Sequence, residues 1–548
     1  MRRPCGRLAG YDIAGAPTRH AEHQRHSTTA GAQADAETGR LSEPSVGTSA
    51  GNASPPRPTV ADETVMQRTI ARFRQLSIVL PTFAELASPQ AIPTRIRAAL
   101  ETVDPDDLHP LNLFRVHWRN GPMRRDLVAV PGHLVLPPAL TGVQAPIVIA
   151  LGERFPMIRS HKVLAAYGCL APAIVTGRFD PESQRAVWPS TGNYARGGVA
   201  IARIMGCRSI AVLPEGMSSE RFEWLERRVA APDDIVRTPG TESNVKEIYD
   251  ACRHLAADPR NVVFNQFSEF GNHLIHYACT GRALETLFEA LSARRPELRL
   301  RAFVSASGSA GTLGAGDYLK ERVGSLIVAV EALECPTMLY NGFGQHNIQG
   351  IGDKHIPLIQ NVMNTDVVTA VSDRSTDRLD LVFNTSEGRE HLLRRRAVPG
   401  EIVSSLSALG LSSICNVLAA IKVARHFGYG TNDVVMTVAT DSAEMYSSER
   451  RKALPKYFPS GFDAVDAAET FGECVLGTDD RHLRECSDVE RNRIFNLGYF
   501  TWVEQQGVPL DWFNRRREQR FWHGLHATLP DWDDMIRDFN ERTRAAEL

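Results

Sequence analysis

Six short runs rich in valine and isoleucine constrain the fold more than any other feature of the chain. They are APIVIAL (145–151), SIAVLP (209–214), NVVFNQF (261–267), RAFVSA (301–306), SLIVAVEA (325–332) and DVVMTVAT (433–440). Turn residues bound each run. Between them, GGVAIARIMG (197–206), GRALETLFEALSA (281–293) and SICNVLAAIKVARHFG (413–428) repeat apolar residues at helical spacing. Strands that alternate with helices form a parallel sheet covered by helices on both faces, so the class is α/β. Such sheets bind their ligands at the carboxyl ends of the strands.

The flanks read differently. Residues 1–62 are rich in Ala, Gly, Ser and Pro with hardly a large apolar side chain. Such a segment cannot bury enough surface to offset its chain entropy, and the expectation is disorder. Residues 447–548 are charged and helix-forming, with tryptophans at 502, 512, 522 and 532. These are expected to anchor a helical extension onto the body, with Trp502 and Trp512 buried. A net charge of −2 over 548 residues gives no field that favours nucleic acid or an anionic membrane. No apolar run approaches the length of a membrane span. Nine cysteines without a C-x-x-C pair argue against a metal site and a disulfide framework, and fit a reducing cytoplasm.

Ligand chemistry points first to SASGSAGTLGAGDYLKE (305–321), where Gly308, Gly311, Gly314 and Gly316 follow a strand and open a helix. Three readings are open for this loop. It is a packing turn, a cradle for one phosphate group, or a dinucleotide site in the register Ala306-x-Gly308-x-x-Gly311 with Glu331 for a ribose. Lys162 in MIRSHKVLAAYG (157–168) lies in apolar surroundings at a helix start. There it is either a snorkelling surface lysine or an amine whose lowered pKa suits a Schiff base. Ser190-Thr191-Gly192-Asn193 opens another helix, as an N-cap or as a carboxylate site.

In order along the chain stand S-H-K (160–162), S-T-G-N (190–193), P-E-G-M-S-S-E-R (214–221), N-Q-F (265–267), G-S-A-G-T (308–312), I-Q-G-I-G (348–352) and T-D-S (440–442). This succession resembles the cysteine synthase/cystathionine β-synthase family of pyridoxal-phosphate enzymes of fold type II, over roughly 130–450. The resemblance implies two parallel-sheet domains of the tryptophan synthase β-like type. The expected organisation is a disordered segment 1–62, an extension 63–130, α/β domains 131–280 and 281–446, and the helical extension 447–548.

For the site, the resemblance implies pyridoxal 5′-phosphate in Schiff-base linkage to Lys162. Asn193 would meet the ring hydroxyl. Gly308, Ser309, Ala310, Gly311 and Thr312 would cradle the phosphate. Ser442, not Asp441, would face the pyridine nitrogen. Ser190, Thr191 and Gln266 would hold a substrate carboxylate, with Gly350 and Ile351 beside the ring. Two residues depart from the family pattern. Tyr194 replaces a substrate-contacting threonine, reshaping that pocket or adding a donor. Ala310 replaces a glycine and fits only if its φ stays negative. The implied activity is β-replacement or β-elimination on a serine- or cysteine-type amino acid through an aminoacrylate, with a thiol as co-substrate of the replacement. The alternatives are an ammonia-lyase or dehydratase acting on serine, threonine or diaminopropionate, and, more remotely, a non-catalytic binding protein. A homodimer in the cytoplasm is expected.

Overall fold

The computed structural model of the chain describes residues 57–544. Its strands are β1 (His133–Leu136), β2 (Ile147–Leu151), β3 (Arg185–Pro189), β4 (Arg208–Pro214), β5 (Ile235–Thr238), β6 (Asn261–Val263), β7 (Arg299–Ala306), β8 (Leu326–Ala332), β9 (Val367–Val371), β10 (Asp433–Ala439) and β11 (Leu483–Glu485). They form a seven-stranded sheet in the order β1-β2-β10-β7-β8-β9-β11 and a four-stranded sheet in the order β5-β4-β3-β6. The smaller sheet is wholly parallel. The larger is parallel except at its two edges, where β1 and β11 run antiparallel to β2 and β9. Every residue of β2 and β9 is buried, which is why β2 reads as a continuous apolar run and not as an alternating one.

Each of the six runs contains a strand, although of 261–267 only Asn261–Val263 is one. The chain crosses the boundary expected at 280, however. β1 and β2 precede the small sheet in sequence, yet β2 pairs in parallel with β10 in the large one. The physical reason is burial, because β2 is apolar on both faces and needs strands and helices around it. The extension after 446 is not purely helical either, since β11 adds an edge strand on β9.

The stretch 1–62 lies outside the described residues except for 57–62. There the Ala61 N–H donates to the Thr176 carbonyl at 2.8 Å. The Asp62 carboxylate caps the helix Glu63–Gln75 by accepting from the Thr64 and Val65 N–H groups. That helix packs on the last one, Leu529–Thr543, through an edge-to-face contact of Phe73 and Phe539 at 5.3 Å. The Arg74 guanidinium donates to the Thr543 carbonyl at 3.0 Å. The Leu80 N–H donates to Asn540 Oδ1 at 3.0 Å, and the Phe83 N–H to Asp533 Oδ1 at 2.7 Å.

Trp502 and Trp512 are 2% and 6% exposed, as expected of tryptophans that anchor a charged extension. They share an apolar cluster with Tyr249, Phe267 and Phe270 of the body, and Trp502 Nε1 donates to the Ile356 carbonyl at 2.7 Å. Eight cysteines are described, all buried and unbridged. Among the described residues, no helix is long and apolar enough to cross a membrane.

Candidate active site

β7 ends at Ala306, and the glycine loop carries the chain into the helix Leu313–Val323. A side chain at Gly308 would collide with the Gly350 carbonyl, and one at Gly311 with the Asn272 carboxamide. Both glycines are therefore set by close approach. Ser305 Oγ and Thr312 Oγ1 are 2.6 Å apart and close the loop across its base. The expectation for Ala310 is overturned. Its φ is +62°, in the left-handed region, where Cβ is strained against the backbone at a cost of about 1–2 kcal/mol. The loop keeps the geometry a glycine would take because its neighbours are fixed on both sides.

Lys162 is the first residue of the helix Lys162–Val175. Met157 and Arg159, at φ +64° and +50°, form the tight approach to it. Its Nζ donates to Ser309 Oγ at 3.1 Å and to Gln266 Oε1 at 3.3 Å. Burial of the amine pushes its pKa down to about 8, against the opposing pull of Asp353 and Glu242. Lys162, Gly308, Ser309, Ala310, Thr312 and Gly350 line one cavity, with Ile351 beside them.

The other expected residues lie around this cavity and not in its wall. Gln266 reaches it through Lys162. Ser190 is buried, its Oγ accepting from the Gly192 N–H at 2.9 Å. The Thr191 hydroxyl faces the Glu242 carboxyl. Asn193 is held at both ends of its carboxamide, with Nδ2 donating to Asp441 Oδ2 at 2.6 Å and Oδ1 accepting from Arg196 at 2.9 Å. Tyr194 departs from expectation. Its ring packs against Trp188 at 5.4 Å and its hydroxyl donates to the Phe264 carbonyl at 3.2 Å, so the phenol serves the core. A large aromatic at that helix position is better buried between β3 and the segment after β6 than in a polar cleft. Ser442 is buried just beyond β10, while Thr440 supplies the wall residue from this segment.

Asp441 is enclosed in a buried polar network. Its Oδ2 also accepts from the Tyr446 hydroxyl at 2.8 Å and lies 3.6 Å from the Arg221 guanidinium, both side chains being fully buried. Burial raises the Asp441 carboxyl above the usual range, although Arg221, Asn193 and Tyr446 all pull it down.

Several residues of the site escaped the sequence reading. His161 lines the cavity, and neither ring nitrogen has a partner. Burial pushes its pKa down to about 3, so the ring is neutral. Its position next to Lys162 was the available signal. Glu242 and Asp353, pushed up by burial to about 8 and about 7, carried none.

The residues fit a phosphate ester bearing an aldehyde. The loop is a close-packed cradle with no room for a Cβ at Gly308 or Gly311, at the N-terminus of an eleven-residue helix. A lysine amine of lowered pKa stands 3.1 Å from the cradle's own Ser309.

Comparison with known proteins agrees. The family model described as pyridoxal-phosphate dependent enzyme matches residues 136–379. The chain is 30% identical over 294 residues to a cysteine synthase B of Campylobacter jejuni, covering 53% of this chain and 86% of that protein. It is 28% identical over 274 residues to a cysteine synthase of Staphylococcus aureus, covering 50% and 78% of the two chains. It is 28% identical over 303 residues to the cystathionine beta-synthase of Saccharomyces cerevisiae, covering 52% and 54%. With a cradle, an amine and a matching sequence over the same residues, this chain belongs to the pyridoxal-phosphate dependent enzyme family, among the relatives of cysteine synthase and cystathionine β-synthase, and its cofactor is pyridoxal 5′-phosphate.

Proposed function

We propose that the enzyme catalyses β-replacement or β-elimination on a serine- or cysteine-type amino acid. The observation that carries this reading is Lys162, whose amine of lowered pKa is aimed by Ser309 and Gln266 across the mouth of the glycine cradle. The cofactor, when bound, supplies a ring that stabilises negative charge at a substrate's α-carbon.

The chain's own groups do the rest. The N–H groups of 308–312 and the helix behind them hold the phosphate. Lys162, with a pKa near the working pH, takes the α-proton and is returned to position by Ser309 and Gln266. Asn193, clamped by Asp441 and Arg196, presents its remaining carboxamide N–H to the ring hydroxyl. Ser442 offers a neutral hydroxyl at the ring nitrogen, which favours elimination over amino-group exchange. Ser190, Thr191 and Gln266 orient the substrate carboxylate. A thiol is the natural second substrate for replacement, and a homodimer the natural assembly.

Product analysis tests the proposal. The holoenzyme is incubated with L-serine, L-cysteine or O-acetyl-L-serine, with and without a thiol. A thioether product means replacement; a keto acid with ammonia means elimination. If none of these amino acids gives either product, the proposal is wrong.

A further inference from the structure

Three buried side chains outside the cavity converge on one point. They are His273 on the helix Phe270–Ile275, Asp317 on the helix Leu313–Val323 behind the glycine loop, and His526 on the helix Gln519–His526 of the extension. Their exposures are 1%, 2% and 8%. His273 Nε2 lies 3.0 Å from His526 Nε2 and 3.7 Å from Asp317 Oδ2. One nitrogen of each ring and one carboxylate oxygen all fall within 4.8 Å of one another.

What stands behind each ring decides which nitrogen carries the hydrogen. His526 Nδ1 lies 3.4 Å from Glu321 Oε1, and Glu321 Oε2 accepts from the Tyr277 hydroxyl at 2.6 Å. The His273 ring faces the Ile359 carbonyl. Both neighbours are acceptors, so each favours an imidazole with its hydrogen on Nδ1 and a bare lone pair on Nε2. The two Nε2 lone pairs then face each other, with the Asp317 carboxylate beside them. That carboxylate is held by the Asn364 and Asn361 amides, which donate to Oδ1 and Oδ2 at 2.7 and 3.0 Å. Among the described residues, the only bases paired with Asp317 or Glu321 are histidines. Three acceptors thus share one buried spot, a condition that costs free energy unless something positive stands between them. A proton bridges the two rings, which are coplanar within 2°, but serves the carboxylate poorly at 3.7 Å. A divalent ion serves all three.

Bonds of about 2.0–2.2 Å at tetrahedral angles separate ligand atoms by about 3.3–3.6 Å. The observed 3.0 and 3.7 Å bracket that spacing, so a small tilt of the rings suffices. Two imidazoles and a carboxylate suit zinc or a neighbouring first-row ion, whereas magnesium and calcium take oxygen ligands. No thiolate is needed, so the absence of a C-x-x-C pair does not bear on this cluster.

We infer that His273, Asp317 and His526 bind a divalent transition-metal ion of the zinc class, with a water completing the set. The site is separate from the cavity that holds the cofactor and independent of the reaction proposed above. Its role is to clamp the extension. One ligand belongs to the extension and one to the helix behind the glycine cradle. The third is the chain neighbour of Asn272, whose amide donates to Ser309 Oγ at 3.1 Å. The ion therefore ties the extension to two segments that shape the phosphate loop.

Zinc binding to the untagged holoenzyme tests this. The protein is dialysed against a chelator and then titrated with Zn2+ by isothermal calorimetry. The wild type should take up one equivalent with a dissociation constant of about 1 μM or tighter. Saturating zinc should also raise its thermal midpoint. His526→Ala and Asp317→Asn should each weaken the binding at least about tenfold and abolish the thermal effect. His426→Ala, which removes a histidine flanked by Asp480 and Glu485 on the surface, should change neither. Circular dichroism checks that each variant is folded, and the isosteric Asp317→Asn decides the matter if His526→Ala is not. Failure of the wild type to take up a stoichiometric ion overturns the inference and leaves a proton alone between the rings. Uptake unchanged in the folded variants overturns it too, because the zinc then sits elsewhere.

Discussion

Replacing Asp441 by asparagine keeps the shape of the side chain and removes its charge from a fully buried polar network. The carboxylate lies 3.6 Å from Arg221 and accepts from Asn193 and Tyr446. At that distance two unit charges attract by about 4–5 kcal/mol with an effective dielectric of about 20. The folded protein loses this attraction but still buries Arg221, so the variant should be destabilised by about 3–5 kcal/mol. Asparagine also turns a donor toward one of three groups that are themselves donors. With unfolding entropy of roughly 2 cal/mol/K per residue, the midpoint of thermal unfolding should fall by about 3–5 °C. Ser442→Ala is the control, because its hydroxyl makes no hydrogen bond within the described residues, and it should shift the midpoint by less than about 1 °C. Differential scanning calorimetry of the two variants under one buffer is the assay. Equal midpoints, or a larger loss for Ser442→Ala, would refute the view that Asp441 secures Asn193 and Arg221.

Ala310→Gly should stabilise the protein by about 0.5–1 kcal/mol, because relief of the strained φ outweighs the added freedom of the unfolded chain; a lower urea midpoint would contradict this. Loading of the apoprotein with pyridoxal phosphate should accelerate as pH rises through about 8, where Lys162 loses its proton, and level off above it. Free lysine would keep accelerating toward its ordinary value near 10.4, so an unbroken rise past pH 9 would count against the depressed amine. Borohydride reduction of the loaded enzyme should leave the pyridoxyl mass on Lys162, and a label on another lysine removes it from its role. A variant retaining only Trp502 and Trp512 should resist iodide quenching, since both indoles are enclosed; strong quenching would mean the extension is solvated.

Four strands of the large sheet, β2, β7, β8 and β10, were legible because apolar residues dominate them and turn residues bound them. β3 was not, since RAVWP is short and closes on a proline, and the edge strands β1, β5 and β11 have three or four residues each. Periodicity placed Tyr194 at a helix start but could not tell which way its ring would turn; that was decided by Trp188 and Phe264, which are distant in sequence. The cradle and its lysine were legible from chemistry, because glycines after a strand and an amine in apolar surroundings have few uses. The φ of Ala310 was not, because a backbone angle is imposed by neighbours such as Gly350 and Asn272 that only folding brings near. Glu242 and Asp353 gave no warning, since an acid's burial is a property of the whole fold.

The contact between the helices Glu63–Gln75 and Leu529–Thr543 has a consequence for synthesis. Arg74 and Thr543 are separated by 469 residues in sequence. A ribosome adding about 5–20 residues per second needs roughly 25–95 seconds to make that stretch. Throughout that interval Phe73 has no Phe539 to pack against, and the Asp533 and Asn540 acceptors and donors for residues 80–83 do not yet exist. The helix is tied early to Thr176 and Asp180, but its contacts with Leu529–Thr543 are among the last to form, and a nascent chain stopped short of Leu529 leaves Phe73 without its aromatic partner. An unfinished copy thus differs from a finished one in the apolar surface around Phe73 that only the last helix covers.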